Sequence, residues 1–410
     1  MAFMSLAPAK QVSAAIPIHK AKEIVAMQSH TVAYPDPSPP RAAGSPIAVR
    51  ARQRLEERFT QGRMVVDAVL DKVESTIPTD YLVPSQSVEF VPADHNVGVR
   101  FPKVDTAMTV HGHALGQLAD RVNIPSRYVG TLQKEDPALL ALNLTGRYRR
   151  QDGTKFLART VDHQLRGWLS ANYKRFNAAP LVGAFLDEAV RLGAVPIDGQ
   201  QLDTKVYMKV LLARVFEPVP NEVLGIGALL RSSDFGDGAY SIALYVERLI
   251  CLNGAIAENL LRKVHLGSRL DNLEYSNRTH ELDTETLVSA TRDVVRSLFE
   301  PRSIEAKLMA VREANEKEIN IRSTVDALRS RAALTKAEAE RSLELHNSGG
   351  VELLPPVHIG NGGRPKRGIG TAYRLGNVFG LLAQEADAGR ALELQDLAGQ
   401  TMGLQERRAA

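Results

Sequence analysis

The chain has 410 residues, 44% hydrophobic and 24% charged, a globular composition that excludes disorder throughout. Its single cysteine, Cys251, excludes intrachain disulfides, Cys-x-x-Cys zinc sites and iron–sulfur clusters held by four cysteines of one chain. Net charge is +4; no run approaches the ~18 apolar residues of a membrane span, and Lys10 and Gln11 interrupt the apolar stretches before Pro17, so an unexported cytoplasmic protein is expected.

Residues 1–46 read as a disordered, proline-rich arm, because the four prolines between Tyr34 and Pro40 prevent regular hydrogen bonding. Helical spacing of Val49, Leu55, Phe59, Val65, Val66, Val69 and Leu70 predicts a helix from Pro46 to about Val73. Short strands follow between Tyr81 and Phe101. A helix capped by Thr109 runs to Val122, with Asn123-Ile124-Pro125 as its stop. Leu139 to Leu144 is helical, Lys155 to Val161 a strand, and Gln164 to Asn172 and Pro180 to Leu192 are read as helices. Lys205 to Val215, Leu224 to Ser233 and Tyr240 to Cys251 are rich in β-formers, and the turn Asp234-Phe235-Gly236-Asp237-Gly238 joins the last two. Asn253-Gly254 is then read as opening a helix to about Val264.

The expectation is an α+β protein with a central antiparallel β-meander (β-β-β-α) flanked by helices. Its core domain spans 47–275, followed by charged helices over 276–346. There Pro301 separates two helices and Thr335-Lys336-Ala337-Glu338 forms a capping box. Residues 347–370 form a glycine-rich loop carrying the basic run Arg364-Pro365-Lys366-Arg367, and residues 371–410 give terminal helices that pack on the core.

Enzyme signatures fail one by one. Gly363 and Gly368 have phosphate-loop spacing, but Ile369-Gly370 stands where Lys-Ser/Thr is needed. Asp234-Phe235-Gly236 matches a kinase tripeptide in letters only, and no Gly-x-Ser-x-Gly elbow occurs. His111 and His113, two apart at a helix start, point roughly 200° from each other. No catalytic residue, metal or cofactor is expected.

Residues 141–180 carry eight basic against two acidic side chains and five of the 22 aromatics. Positive grooves that track phosphates and aromatic faces that stack bases are what single strands require. The candidate nucleic-acid residues are Arg147, Tyr148, Arg149, Arg150, Lys155, Arg159, Tyr173, Lys174 and Arg175, extended by Arg262, Lys263 and Arg269. In this reading the arginines and lysines hold phosphates while Tyr148 and Tyr173 stack bases. The competing reading makes the aromatics core and the arginines a solvated face.

Four blocks resemble an uncharacterised family of phage- and plasmid-encoded proteins, a domain of unknown function. They are Ala114-Leu115-Gly116-Gln117-Leu118-Ala119 with Ile124-Pro125-Ser126-Arg127-Tyr128; Leu165 to Asn177; Gly236 to Gly254, including Arg248-Leu249-Ile250-Cys251-Leu252-Asn253-Gly254; and Leu375-Gly376-Asn377 with Leu392-Glu393-Leu394. Arg231-Ser232 departs from the Asn-Ser expected there. A β-β-β-α centre with a basic aromatic groove is also similar in architecture to the phage single-strand annealing proteins of the Red-beta, RecT and Erf type. That resemblance implies a single-stranded DNA-binding or annealing protein of a phage or plasmid, acting in recombination or replication. It would be a homo-oligomer, ring or filament, assembled through the central sheet and later helices. The alternative is a protein-interaction or assembly module using the helices of 283–346, such as a phage structural factor or host-defence inhibitor. A third reading is an enzyme site built from Asp234, Asp237, Arg248 and Asn253.

Overall fold

The computed structural model describes residues 46–220, 222–249, 251–263, 276–347 and 369–405. The expected arm up to residue 45, residues 348–368 of the expected loop, and Arg269 lie outside them. The described chain is α+β, built largely around two sheets with antiparallel meanders.

The first sheet takes β1 (Thr79–Pro84), β2 (Glu89–Ala93), β3 (Asn96–Arg100), β4 (Met108–Val110), β5 (Lys155–Val161) and β6 (Gln164–Ser170). Their order is β1-β5-β6-β4-β3-β2, antiparallel except for the β4–β6 pair. Of residues 164–172, expected to be helical, Gln164–Ser170 instead return as β6 beside β5. The two-residue turn between them is Asp162-His163, with φ of 46° and 61°. Positive φ at both positions is what a tight hairpin needs, and without a glycine the turn left no obvious mark in the sequence. Helices α2 (Gly112–Arg121), α3 (Ser126–Glu135) and α4 (Pro137–Arg149) cover one face, burying Val97, Leu115, Leu144, Phe156 and Trp168. The cap of α2 is His111, whose ring accepts the His113 amide; Thr109, the expected cap, lies in β4.

The second sheet holds β7 (Ala194–Gln201), β8 (Val206–Leu212), β10 (Glu222–Ser232), β11 (Tyr240–Arg248) and β12 (Asn253–Lys263) in the order β7-β8-β10-β11-β12. A short β9 (Phe216–Val219) pairs with β10. The three expected strands are adjacent, but the expected helix after Asn253 is the strand β12. Its Ala, Glu, Leu and Arg are good helix formers; pairing with β11 from Asn253↔Arg248 to Lys263↔Tyr240 overrides that preference.

Both faces of this sheet are buried, which explains its near-continuous apolar strands. Leu224, Ile226, Ala228 and Leu230 of β10 point into one core, and Val223 and Leu229 into the other. Helix α1 (Pro46–Ser75) serves both cores: Ala51, Leu55 and Phe59 pack on one face, and Val66, Val69, Leu70 and Val73 on the other. It passes β7 at Gly62, where an added Cβ would stand 2.0 Å from the Pro196 carbonyl oxygen.

The first core is completed by α5 (Ala178–Arg191), α6 (Asn277–Leu298), α7 (Pro301–Glu316), α8 (Ile321–Ser330), α9 (Lys336–Asn347), α10 (Ala372–Gln384) and α11 (Ala388–Thr401). A small pair, β13 (Glu318–Asn320) with β14 (Ile369–Thr371), sits among them. Helix α11 presses Gly399 onto β12, where a Cβ would approach the Ile256 carbonyl oxygen to 1.8 Å. Outer strands β7 and β12 are thus each crossed by a helix of the same chain.

The capping box forms as expected: the Glu338 amide donates to Thr335 Oγ1 at 3.2 Å and the Thr335 amide to Glu338 Oε2 at 2.7 Å. Arg390 on α11 also donates two hydrogen bonds to this carboxylate. Chiefly through Arg390, Glu338 is held down at about 2.

Candidate nucleic-acid interface

The basic aromatic segment divides into an interior half and an exterior half. Along α4, Leu140, Ala141, Leu144 and Tyr148 form the inward stripe. The Tyr148 ring lies 5.5 Å from Phe90 and Phe156 and 5.7 Å from Trp168, and its hydroxyl donates to the Leu118 carbonyl at 2.9 Å. Tyr173 is buried with Leu157 and Leu169 on the opposite face of the first sheet. Burial pushes both phenols up. Neither ring faces outward, so the expectation that these two stack bases is corrected.

Arg159 is corrected as well. Only 1% of its side chain is exposed. Its Nε donates to Asp80 Oδ1 at 2.8 Å, one terminal nitrogen to the Asp234 carbonyl oxygen at 2.6 Å, and the other to Asn177 Oδ1. These partners come from β1, from the β10–β11 hairpin and from the residue before α5, so this guanidinium ties the two sheets together. Asp234 accepts the Ala178 amide at the start of α5. Burial raises its carboxyl to about 6, against the opposing pull of Arg159 and that amide.

Lys174 and Arg175 lie close to acids: Lys174 is 3.8 Å from Asp283, and Arg175 is 4.0 Å from Asp80 and largely buried. Both were expected to meet phosphates; in the structure each lies beside an acid of its own chain. Arg262 and Lys263 end β12, in register with Ser241 and Tyr240, rather than following a helix.

What remains together and exposed is Arg147, Arg149, Arg150 and Lys155. The three arginines occupy the last turn of α4 and the residue after it, and Lys155 begins β5. Cations at this end also complement the helix dipole. No ion-pair partner is found for the three arginines among the described residues. Gln151 donates to the Arg121 carbonyl at 3.0 Å, so the end of α2, with exposed Arg121, adjoins the end of α4.

The outer face of α4 carries Leu139, Leu142, Asn143, Gly146, Arg149 and Arg150, which helical spacing places together. Beside it, Tyr128 of α3 is 44% exposed, and Asn143 Nδ2 donates to its hydroxyl at 3.3 Å. Tyr128 was not among the residues expected to bind nucleic acid. It lies outside the dense basic segment, and its exposure depends on how α3 docks on α4.

The four residues of the enzyme reading disperse. Asp234 belongs to the Arg159 cluster, and Asp237 pairs with Thr204 and Lys205. Arg248 forms a buried two-pronged pair with Glu222, which also accepts the Tyr373 hydroxyl at 3.0 Å. Asn253 bonds Asn377. The blocks Arg248–Gly254 and Leu375–Asn377 therefore meet in the interior, where they dock α10 on the β11–β12 turn. Among the described residues no group of three or more His, Cys, Asp or Glu is placed to hold a metal ion, and no helix is long and apolar enough to cross a membrane. No family model, curated protein or solved structure matches the chain.

Proposed function

We propose that the chain is a single-stranded nucleic-acid-binding protein of the annealing or strand-protecting kind, acting without catalysis in the cytoplasm during recombination or replication of a mobile element. One observation carries this: Arg147, Arg149, Arg150 and Lys155 emerge together at the joined ends of α4 and β5, exposed to solvent. Cations grouped in this way reinforce one another's field within a Debye length of ~10 Å. Contacts from them would be to phosphates and independent of sequence.

Each phosphate contact on a single strand contributes about 0.7 to the slope of log K against log salt. Four contacts give a slope near −2.8, or a loss of about 50-fold between ~50 and ~200 mM salt. Fluorescence anisotropy with a labelled single strand tests the assignment. Reversing Arg149 and Arg150 to Glu lowers affinity and flattens the slope while leaving the fold intact. Unchanged binding by a folded double variant refutes it.

A further inference from the structure

We infer that Tyr128 is the base-stacking residue of this interface, flanked by Leu139 and Leu142. The inference rests on the reading that Arg149 and Arg150 meet phosphates. Scattered exposed leucines need no explanation, but here three exposed large apolar side chains lie on two helices linked by the Asn143–Tyr128 hydrogen bond. Leu142 is 68% exposed, Leu139 38% and Tyr128 44%. Asn143, one turn beyond Leu139, donates to the phenol oxygen at 3.3 Å, which leaves the tyrosine's own proton available to a ligand.

The occupant follows from charge. Residues 120–155 contain seven basic side chains against four acidic. Of the acids, Asp136 accepts the Leu139 amide as the cap of α4, and Asp152 accepts from Gln86. A polyanion with exposed apolar faces fits a surface that is apolar at one end and cationic at the other. From Asn143 to Arg150 is seven residues, about 10 Å along the helix. A stretch of only a few nucleotides covers that distance. One base on Tyr128 and two or three phosphates on the arginines can therefore belong to one short stretch of strand. Bases in a duplex hide their faces, so the arrangement selects single strands.

The test compares thymidine oligonucleotides of about 20 nucleotides with abasic strands of equal length, across several salt concentrations. Tyr128→Ala is expected to weaken binding to the thymidine strand by about 5- to 150-fold, with unchanged salt slope and unchanged abasic binding. Tyr128→Phe keeps the ring face and binds within about twofold of wild type. Arg149→Ala with Arg150→Ala weakens both strands and flattens the slope. If Tyr128→Ala binds as wild type while the arginine variant loses affinity, the stacking assignment fails and the phosphate reading stands. If neither variant changes binding, both fail. Equal losses on thymidine and abasic strands also overturn stacking. So does self-association that Leu142→Glu abolishes with strand binding intact, since the face then belongs to a second copy.

Discussion

Replacing Arg159 by Ala is the sharpest test of the division between interior and exterior arginines. The substitution removes four donated hydrogen bonds and leaves the Asp80 carboxylate, the Phe176 and Asp234 carbonyls and Asn177 Oδ1 without them at the junction of two sheets. Removing one partner from a buried charged pair costs about 3–5 kcal/mol, a large share of the ~5–15 kcal/mol that holds a domain folded. Arg159 also pulls the Asp234 carboxyl down, so in the variant this group rises further above its unfolded value. The folded state then binds the extra proton over a wider range, and stability falls more steeply as pH rises. The deficit should accordingly be smaller near pH 5 than near pH 7.5. Urea unfolding is conveniently followed by Trp168, the only tryptophan, fully buried on β6. A variant within ~0.5 kcal/mol of wild type that had nonetheless lost strand binding would refute the reasoning and return Arg159 to the interface.

Other consequences are open to the same measurement. In the wild type, Asp234 has a folded value of about 6 against an ordinary 3.8. Folding therefore takes up a proton between roughly pH 4 and 6, stability declines as pH rises through that window, and Asp234→Asn flattens the profile. Glu338, held at about 2 from an ordinary 4.5, acts in the opposite sense. Its contribution is present above pH ~4.5 and is lost as pH falls toward ~2, a loss that Glu338→Gln removes. Gly62→Ala forces a methyl against the Pro196 carbonyl and should destabilise by about 1–3 kcal/mol, visible as a lowered Tm. Gly146→Ala, where nothing lies within 4 Å of the new Cβ, should instead stabilise α4 by about 0.5–1 kcal/mol.

The meander and most helices were legible because their signals are local. Continuous β-rich runs, the Asp/Gly turn at 234–238 and the Thr335–Glu338 capping box each need only neighbouring residues. The two strands mistaken for helices, β6 and β12, depend on partners. Asp162-His163 turns the chain without glycine, and the helix formers of β12 yield to pairing with β11. Which residues of the candidate segment face inward was hidden for the same reason. Charge and aromatic content showed where basic groups concentrate, but not which of them face inward. Tyr148 sits seven residues from Ala141 on the inward stripe, and Arg159 finds its acids 79 residues away at Asp80 and in the turn at Asp234. Tyr128 gained its place only from the docking of α3 against α4.

The central claim is that exposed cations of α4 and β5 hold a single strand. Anisotropy of the wild-type chain with matched single- and double-stranded oligonucleotides, from ~50 to ~200 mM salt, tests it most directly. The expected result is preference for the single strand and a slope near −2.8, as about four phosphate contacts require. Absence of binding at ~50 mM salt, where such contacts are strongest, or equal affinity for duplex, would contradict it.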